Sequence, residues 1–119
     1  MQTITHKINN STFVEVLSDE LVINTIEDGT DLLANLYYQG FDGVIFHQQN
    51  VTPTFFDLKT KMAGELLQKA SNFRMRVIII GDFEQVESKS LQDFIRESNR
   101  GNLVNFVSSL SEVTTPPHS

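Results

Sequence analysis

Residues 76–82, RVIIIGD, contain the stretch that decides the fold, four consecutive β-branched residues from Val77 to Ile80. The run has no polar alternation, which indicates a strand of a parallel sheet that is buried on both faces. A second compact apolar run, Val44-Ile45-Phe46, has the same character. Two such strands with a helical pattern between them predict a β–α–β unit.

The segment between these two strands has the longest helical pattern in the chain. Apolar residues recur at helical spacing from Phe55 to Phe73, which predicts one central helix of about twenty residues. A helix before it is predicted to be capped by Thr25 and ended by Gly40. A helix after the second strand is capped by Ser88 or Ser90.

The remaining strands lie at the two ends of the chain. Residues 3–8 and 12–17 are β-rich on either side of Asn9-Asn10-Ser11, a pattern that predicts a hairpin. His6 is in phase with Ile4 and Ile8 on the first strand, and we expect its ring tip to lie in water. Residues 103–107 predict the last strand.

Strands and helices alternate after the hairpin, so we predict an α/β fold. Its sheet is mixed, mostly parallel and of about five strands, with packed helices. The prediction is one domain over residues 1–113, ending in a short helix capped by Ser109 and Glu112. Residues 114–119, TTPPHS, contain two prolines and predict a flexible C-terminal tail.

Composition excludes several classes of protein. The chain has 119 residues and a formal net charge of −6. An acidic domain repels nucleic acid and anionic membranes, so we predict neither as a partner. There are no cysteines, which excludes a disulfide scaffold, a thiolate zinc site and a cysteine nucleophile. No apolar run reaches the length of a membrane span, and we expect a cytoplasmic protein.

Element order and several segments resemble the STAS domain, the fold of anti-sigma-factor antagonists. The segments are residues 12–26, 57–82 and 90–113. FFDLKTKMAGELLQK, residues 55–69, together with residues 81–101 looks more closely like an uncharacterised bacterial family of unknown function. The first likeness implies a protein-docking module. The second does not indicate any particular activity.

One feature of the STAS antagonists is missing. They carry a phosphorylatable Ser or Thr directly after an Asp at the start of the central helix. Here Asp57 is followed by Leu58 and Lys59, and the nearest hydroxyl belongs to Thr60. The resemblance therefore implies a docking module without this phosphorylation switch.

Polar side chains near the predicted carboxyl ends of the strands are the candidates for a ligand site, since ligands of open parallel sheets bind at that edge. These candidates are His47, Asp57, Lys59, Asp82, Ser88 and Lys89. Each also has a structural interpretation: Asp57 and Ser88 fit helix starts, and Asp82 fits a turn. No residue is assigned a catalytic or metal-binding role, and no cofactor is predicted.

Two functions follow as hypotheses. The first is a non-enzymatic regulatory or interaction domain that binds a protein partner or a second copy of itself. Its proposed homodimer interface is a second apolar stripe of the central helix, formed by Phe56, Ala63 and Leu67. Tyr37 and Tyr38 are expected to be mostly buried. The alternative is a small-ligand-binding domain or modest enzyme with a polar site at the carboxyl ends of the strands.

Overall fold

The computed structural model describes residues 2–114, which are built around one five-stranded sheet. The strands are β1 (Gln2–Ile8), β2 (Ser11–Leu17), β3 (Gly43–His47), β4 (Arg76–Ile80) and β5 (Val104–Val107). They lie side by side in chain order, with β1 antiparallel to β2 and the other neighbours parallel. The predicted mixed, mostly parallel sheet is confirmed.

Helices connect the parallel strands. They are α1 (Ile26–Tyr38), α2 (Met62–Phe73) and α3 (Lys89–Arg100), and α4 (Ser111–Thr114) follows β5. Thr25 caps α1, as predicted, in a capping box with Asp28. The predicted tail, residues 114–119, lies outside the described residues apart from Thr114, the last residue of α4.

The strand order explains why α1, α2 and α3 pack on the same face of the sheet. Crossovers between parallel strands are right-handed, and three crossovers that step in the same direction place their helices on one side. The main core lies there. It packs strand residues such as Phe46 and Ile79 against Leu33, Leu66 and Ile95 of the three helices.

The opposite face, here called the α4 face, has a smaller core. Ile8, Phe13, Ile45, Ile78 and Val107 form it, with Leu110 and Val113 packed against them. The two central strands are therefore buried on both faces, as predicted, although the long helices cover only one of them.

The outer edge of β5 is occupied by a side chain. Asn99 of α3 accepts a hydrogen bond from the Phe106 backbone N–H at 2.8 Å and donates to the Phe106 carbonyl at 3.0 Å. Its amide thus makes the two bonds that a neighbouring strand would make at this residue.

The predicted twenty-residue central helix is wrong at its start. Two 3₁₀ turns, Pro53–Phe56 and Leu58–Thr60, precede α2. The Asp57 side chain accepts a hydrogen bond from the Lys59 backbone N–H, and Lys61 has a left-handed φ of 66°. The misprediction has a physical reason, because apolar residues three apart share a face in a 3₁₀ turn as well as in an α-helix.

Candidate functional site

The turn after β3 is held by a buried asparagine. The Asn50 side chain accepts from the His47 backbone N–H at 3.1 Å. Its amide donates to the carbonyls of Ser18 at 2.7 Å and Glu20 at 3.0 Å. Every polar atom of this fully buried side chain is thereby paired, and the loop after β2 is fixed against the end of β3.

The segment before α1 pairs with the chain that follows the turn after β3. Ile23 makes an isolated parallel bridge with Val51. The Ile23 N–H donates to the Asn50 carbonyl, and the Thr52 N–H donates to the Ile23 carbonyl, both at 2.9 Å. Leu21 is consequently held beside the turn, with half of its surface exposed.

The loop between β4 and α3 lies against the same turn. The Gln48 Oε1 atom accepts a hydrogen bond from the Asp82 backbone N–H at 3.2 Å. A Cβ atom on Gly81 would lie 2.5 Å from this Oε1 atom and 2.7 Å from the Gln48 Cβ. Only glycine lets the two segments approach this closely.

Phenylalanine rings fill the space behind these loops. The Phe56 and Phe83 ring centroids are 6.0 Å apart, and Phe83 contacts Phe106 of β5 edge-on at 5.3 Å. Phe55, next to Phe56, is buried in the main core. The 3₁₀ turn therefore directs one ring inward and leaves Phe56 half-buried at the carboxyl edge.

These segments border an open pocket of about 400 Å³ at the carboxyl edge of the sheet. We call it the edge pocket; it is lined by Leu21, Gln48, Gln49, Val51, Pro53, Phe56, Phe83, Val86 and Leu91. Among the described residues, the lining holds two glutamines as its polar side chains and no charged group. Its size and apolar character are those of pockets that bind small molecules.

The predicted carboxylates do not line this pocket. Asp57 caps the turn that begins at Leu58, as its structural interpretation proposed, and Lys59 is exposed beside it. The Asp82 side chain accepts from the Glu84 backbone N–H at 3.3 Å. Asp82 lines a different hollow, bordered also by Glu112.

Ser88 and Lys89 also have local structural roles. The Ser88 hydroxyl accepts from the Leu91 backbone N–H at 3.2 Å and caps α3. Lys89 pairs with Asp93 one turn later, with its Nζ 2.8 Å from the carboxylate. Both residues lie next to the edge pocket in sequence, but their side chains are used within α3.

His47 belongs to a polar cluster that the sequence analysis missed. On the α4 face, the Glu15 carboxylate binds two histidines, with His47 Nε2 2.7 Å from one oxygen and His6 Nε2 2.8 Å from the other. His6 was expected to have its ring tip in water, and it is instead held by this bond. We call these three residues the Glu15 cluster.

The environment of Glu15 has two opposing effects on its pKa. Burial raises the pKa, while the hydrogen bonds and charges of His47 and His6 lower it, and the net result lies below the ordinary value of 4.5. The carboxylate is therefore held in its charged form. A signal was present in the sequence, because Glu15 is in phase with Phe13 on β2 and its acidic side chain needed a partner there.

The residues of the predicted dimer interface do not form one exposed stripe. Ala63 is buried in the main core, Leu67 is half-buried on α2, and Phe56 precedes that helix and lines the edge pocket. Two other aromatic residues are exposed instead. Tyr37 and Tyr38, expected to be mostly buried, are 50% and 81% exposed at the end of α1.

Within residues 2–114, no His, Cys, Asp and Glu side chains form a group of three or more that could hold a metal ion. No helix in the same range is long and apolar enough to cross a bilayer.

A family model described as "Domain of unknown function (DUF4180)" matches residues 8–115. The chain belongs to this family. The match to DUF4180 includes the edge pocket together with Glu15 and His47, whereas His6 precedes it. No curated protein and no solved structure matches the chain. The prediction of a family of unknown function is confirmed, and the family description carries no activity.

Proposed function

We propose that this DUF4180 protein is a non-enzymatic regulatory domain that binds a small uncharged molecule in the edge pocket. The observation that carries the proposal is the lining of this pocket, which is apolar except for Gln48 and Gln49. It lies where ligands of open parallel sheets bind. The proposal keeps the predicted location of a ligand site and replaces its polar character with an apolar one.

The absence of acid–base groups from the lining supports a binding role over catalysis. General acid–base chemistry needs a side chain that exchanges a proton near the operating pH. Among the described lining residues there is no such group. The neighbouring histidine, His47, lies on the α4 face and is bonded to Glu15.

The STAS-like character, a cytoplasmic location and a protein partner are further parts of this proposal. The order of strands and helices supports the STAS likeness. The segment that follows Asp57 is a 3₁₀ turn and not the start of a helix, which supports a domain without the phosphorylation switch.

Fragment binding followed by NMR tests the ligand site. We expect uncharged aromatic fragments to shift the backbone amide signals of Leu21, Gln49 and Val86. Val86→Trp places a large ring in the pocket and should abolish these shifts. Tyr37→Trp adds the same ring outside the pocket and should leave them unchanged. The proposal is wrong if fragments leave the three signals unmoved, or if Val86→Trp binds them as the parent does.

A second candidate function is self-association, favoured by the exposed tyrosines. Tyr37 contacts Tyr38 edge-on at a centroid distance of 5.6 Å and Phe73 of α2 at 5.7 Å. Tyrosine is enriched at the centres of protein interfaces. We propose that this patch, and not the stripe of Phe56, Ala63 and Leu67, is the homodimer contact.

Light scattering over a concentration series tests self-association. We expect the mass of the parent to rise toward twice 13.5 kDa and the mass of Tyr38→Ser to stay at the monomer value. A mass of 13.5 kDa for the parent at the highest concentration would refute the dimer. A dimer that survives Tyr38→Ser but not Phe56→Ser would return the interface to the residues predicted from sequence.

A further inference from the structure

We infer that the edge pocket selects planar, uncharged molecules that carry a hydrogen-bond donor next to an acceptor, as a cyclic amide does. This inference rests on the proposed function, because it names the class of ligand for the same pocket. It is carried by the hydrogen-bonding state of the two glutamines and by the shape and charge of the lining around them.

Gln48 presents a donor. Its Oε1 atom is already bonded to the Asp82 backbone N–H. Within residues 2–114, its amide NH₂ has no hydrogen-bond partner, and the two N–H groups remain for a ligand or water. The bond to Asp82 also turns the oxygen of the Gln48 amide toward the loop between β4 and α3. The NH₂ group of this amide therefore points away from that bond.

Gln49 presents an acceptor. Its Nε2 atom donates to the Ser18 carbonyl at 3.3 Å. Its Oε1 atom accepts no hydrogen bond from any other described residue. Gln49 therefore offers an acceptor beside the donor of Gln48. Both side chains line the edge pocket, and between them they have one unused donor group and one unused acceptor.

The rest of the lining determines the other properties of the ligand. Phe56 and Phe83 contribute ring surfaces, on which a flat molecule packs with more contact than a branched one. Val51 and Leu91, both buried, form apolar walls. A charged ligand would lose its hydration and find no opposite charge among the described lining residues, which disfavours carboxylates and ammonium groups.

Three bicyclic probes of nearly equal size separate these properties. 2-Quinolone carries an N–H donor beside a carbonyl acceptor, quinoline has an acceptor alone, and quinoline-2-carboxylate adds a negative charge. Dissociation constants come from NMR titration of the full chain. We expect 2-quinolone to bind about tenfold more tightly than quinoline, since its one added hydrogen bond contributes up to about that factor. The carboxylate should bind more weakly than both.

Glutamine variants test the source of the selectivity. Gln49→Met keeps the length of the side chain and removes its acceptor. It should bring the affinity for 2-quinolone down to within about threefold of that for quinoline and leave quinoline binding unchanged. Gln68→Met, on the exposed surface of α2 outside the pocket lining, is the matched control and should change neither affinity.

The outcomes separate this inference from the proposed function. Equal affinities for 2-quinolone and quinoline, or tight binding of the carboxylate, would overturn the ligand class and leave a binding pocket in place. Unchanged 2-quinolone affinity in Gln49→Met would likewise overturn the assignment of the acceptor. Failure of all three probes and of the wider fragment set to bind would overturn both proposals.

Discussion

The Glu15 carboxylate links three strands, because His6 lies on β1 and His47 on β3. Burial raises the pKa of Glu15, but the two histidines outweigh this effect and the pKa lies below its ordinary value of 4.5. A carboxylate whose pKa is lower in the folded chain than in the unfolded chain stabilises the fold above its unfolded pKa. This contribution is lost as the pH falls through the folded pKa.

We therefore expect Glu15→Gln to destabilise the domain in a pH-dependent way. The variant retains one acceptor and loses the charge, which should lower the free energy of unfolding by about 1–3 kcal/mol at about pH 5. The difference from the parent should shrink between about pH 5 and about pH 3, as Glu15 becomes protonated in the parent. Urea unfolding of both proteins at several pH values measures it. A difference in the free energy of unfolding that stays constant over this pH range would contradict the proposed contribution of the Glu15 charge to stability.

Substitution by alanine should have opposite effects on stability at Gly43 and at Gly64. A Cβ atom on Gly43 would lie 2.4 Å from the Phe13 ring and 2.8 Å from the Arg76 carbonyl oxygen. Gly43→Ala should therefore cost about 1–3 kcal/mol, as overpacking of a core does. Gly64, in the first turn of α2, has no atom within 4 Å of its added Cβ.

Gly64→Ala is the matched control and should stabilise the domain by about 0.5–1 kcal/mol through helix propensity. Thermal unfolding of both variants checks the pair. Equal melting temperatures for the two variants would mean that β2 and β3 do not approach as closely as described.

Among the elements, the turn that precedes α2 depends on one hydroxyl. Thr60 Oγ1 lies 2.8 Å from the carbonyl oxygens of both Thr54 and Asp57, and it accepts from the Met62 backbone N–H at 3.3 Å. A phosphate on Thr60 would remove the hydroxyl proton and place negative oxygens beside these carbonyls. We predict that Thr60 is not phosphorylated as a regulatory switch.

Stability measurements and mass spectrometry test this turn separately. Thr60→Val should lower the free energy of unfolding by about 1 kcal/mol. Thr54→Val, whose hydroxyl makes no hydrogen bond within residues 2–114, should have little effect. A Thr60 phosphopeptide at high occupancy in protein from native cells would contradict the prediction.

The strands were predictable from sequence, whereas the lining of the edge pocket was not. Continuous β-branched residues identify β4 because few other environments accommodate such a run. The pocket is lined by segments that are far apart in the chain, from Leu21 to Leu91, and no local sequence pattern indicates that these segments contact one another. Glu15 illustrates the same limit, because its partners lie 9 residues before it and 32 residues after it.

The stability of the whole domain depends on the apolar strands at its centre. Ile79 of β4 is fully buried, and an unpaired carboxylate at this position costs several kcal/mol, a large part of the total stability of a small domain. We expect Ile79→Asp to unfold the protein. Circular dichroism with a melting curve measures this, and Ser90→Asp, at an exposed position in the first turn of α3, is the control that should melt like the parent. A folded Ile79→Asp protein would show that β4 is not central.

The agreement between strand order and chain order has a consequence for folding during synthesis. Each new strand pairs with the strand made just before it, so a chain emerging from the ribosome completes each pairing without waiting for a distant segment. Until synthesis ends, the growing sheet has one open edge at its newest strand. Asn99 is synthesised before β5. Once β5 docks, the Asn99 amide bonds to the backbone N–H and carbonyl of Phe106, and a foreign strand cannot pair with the sheet at this residue.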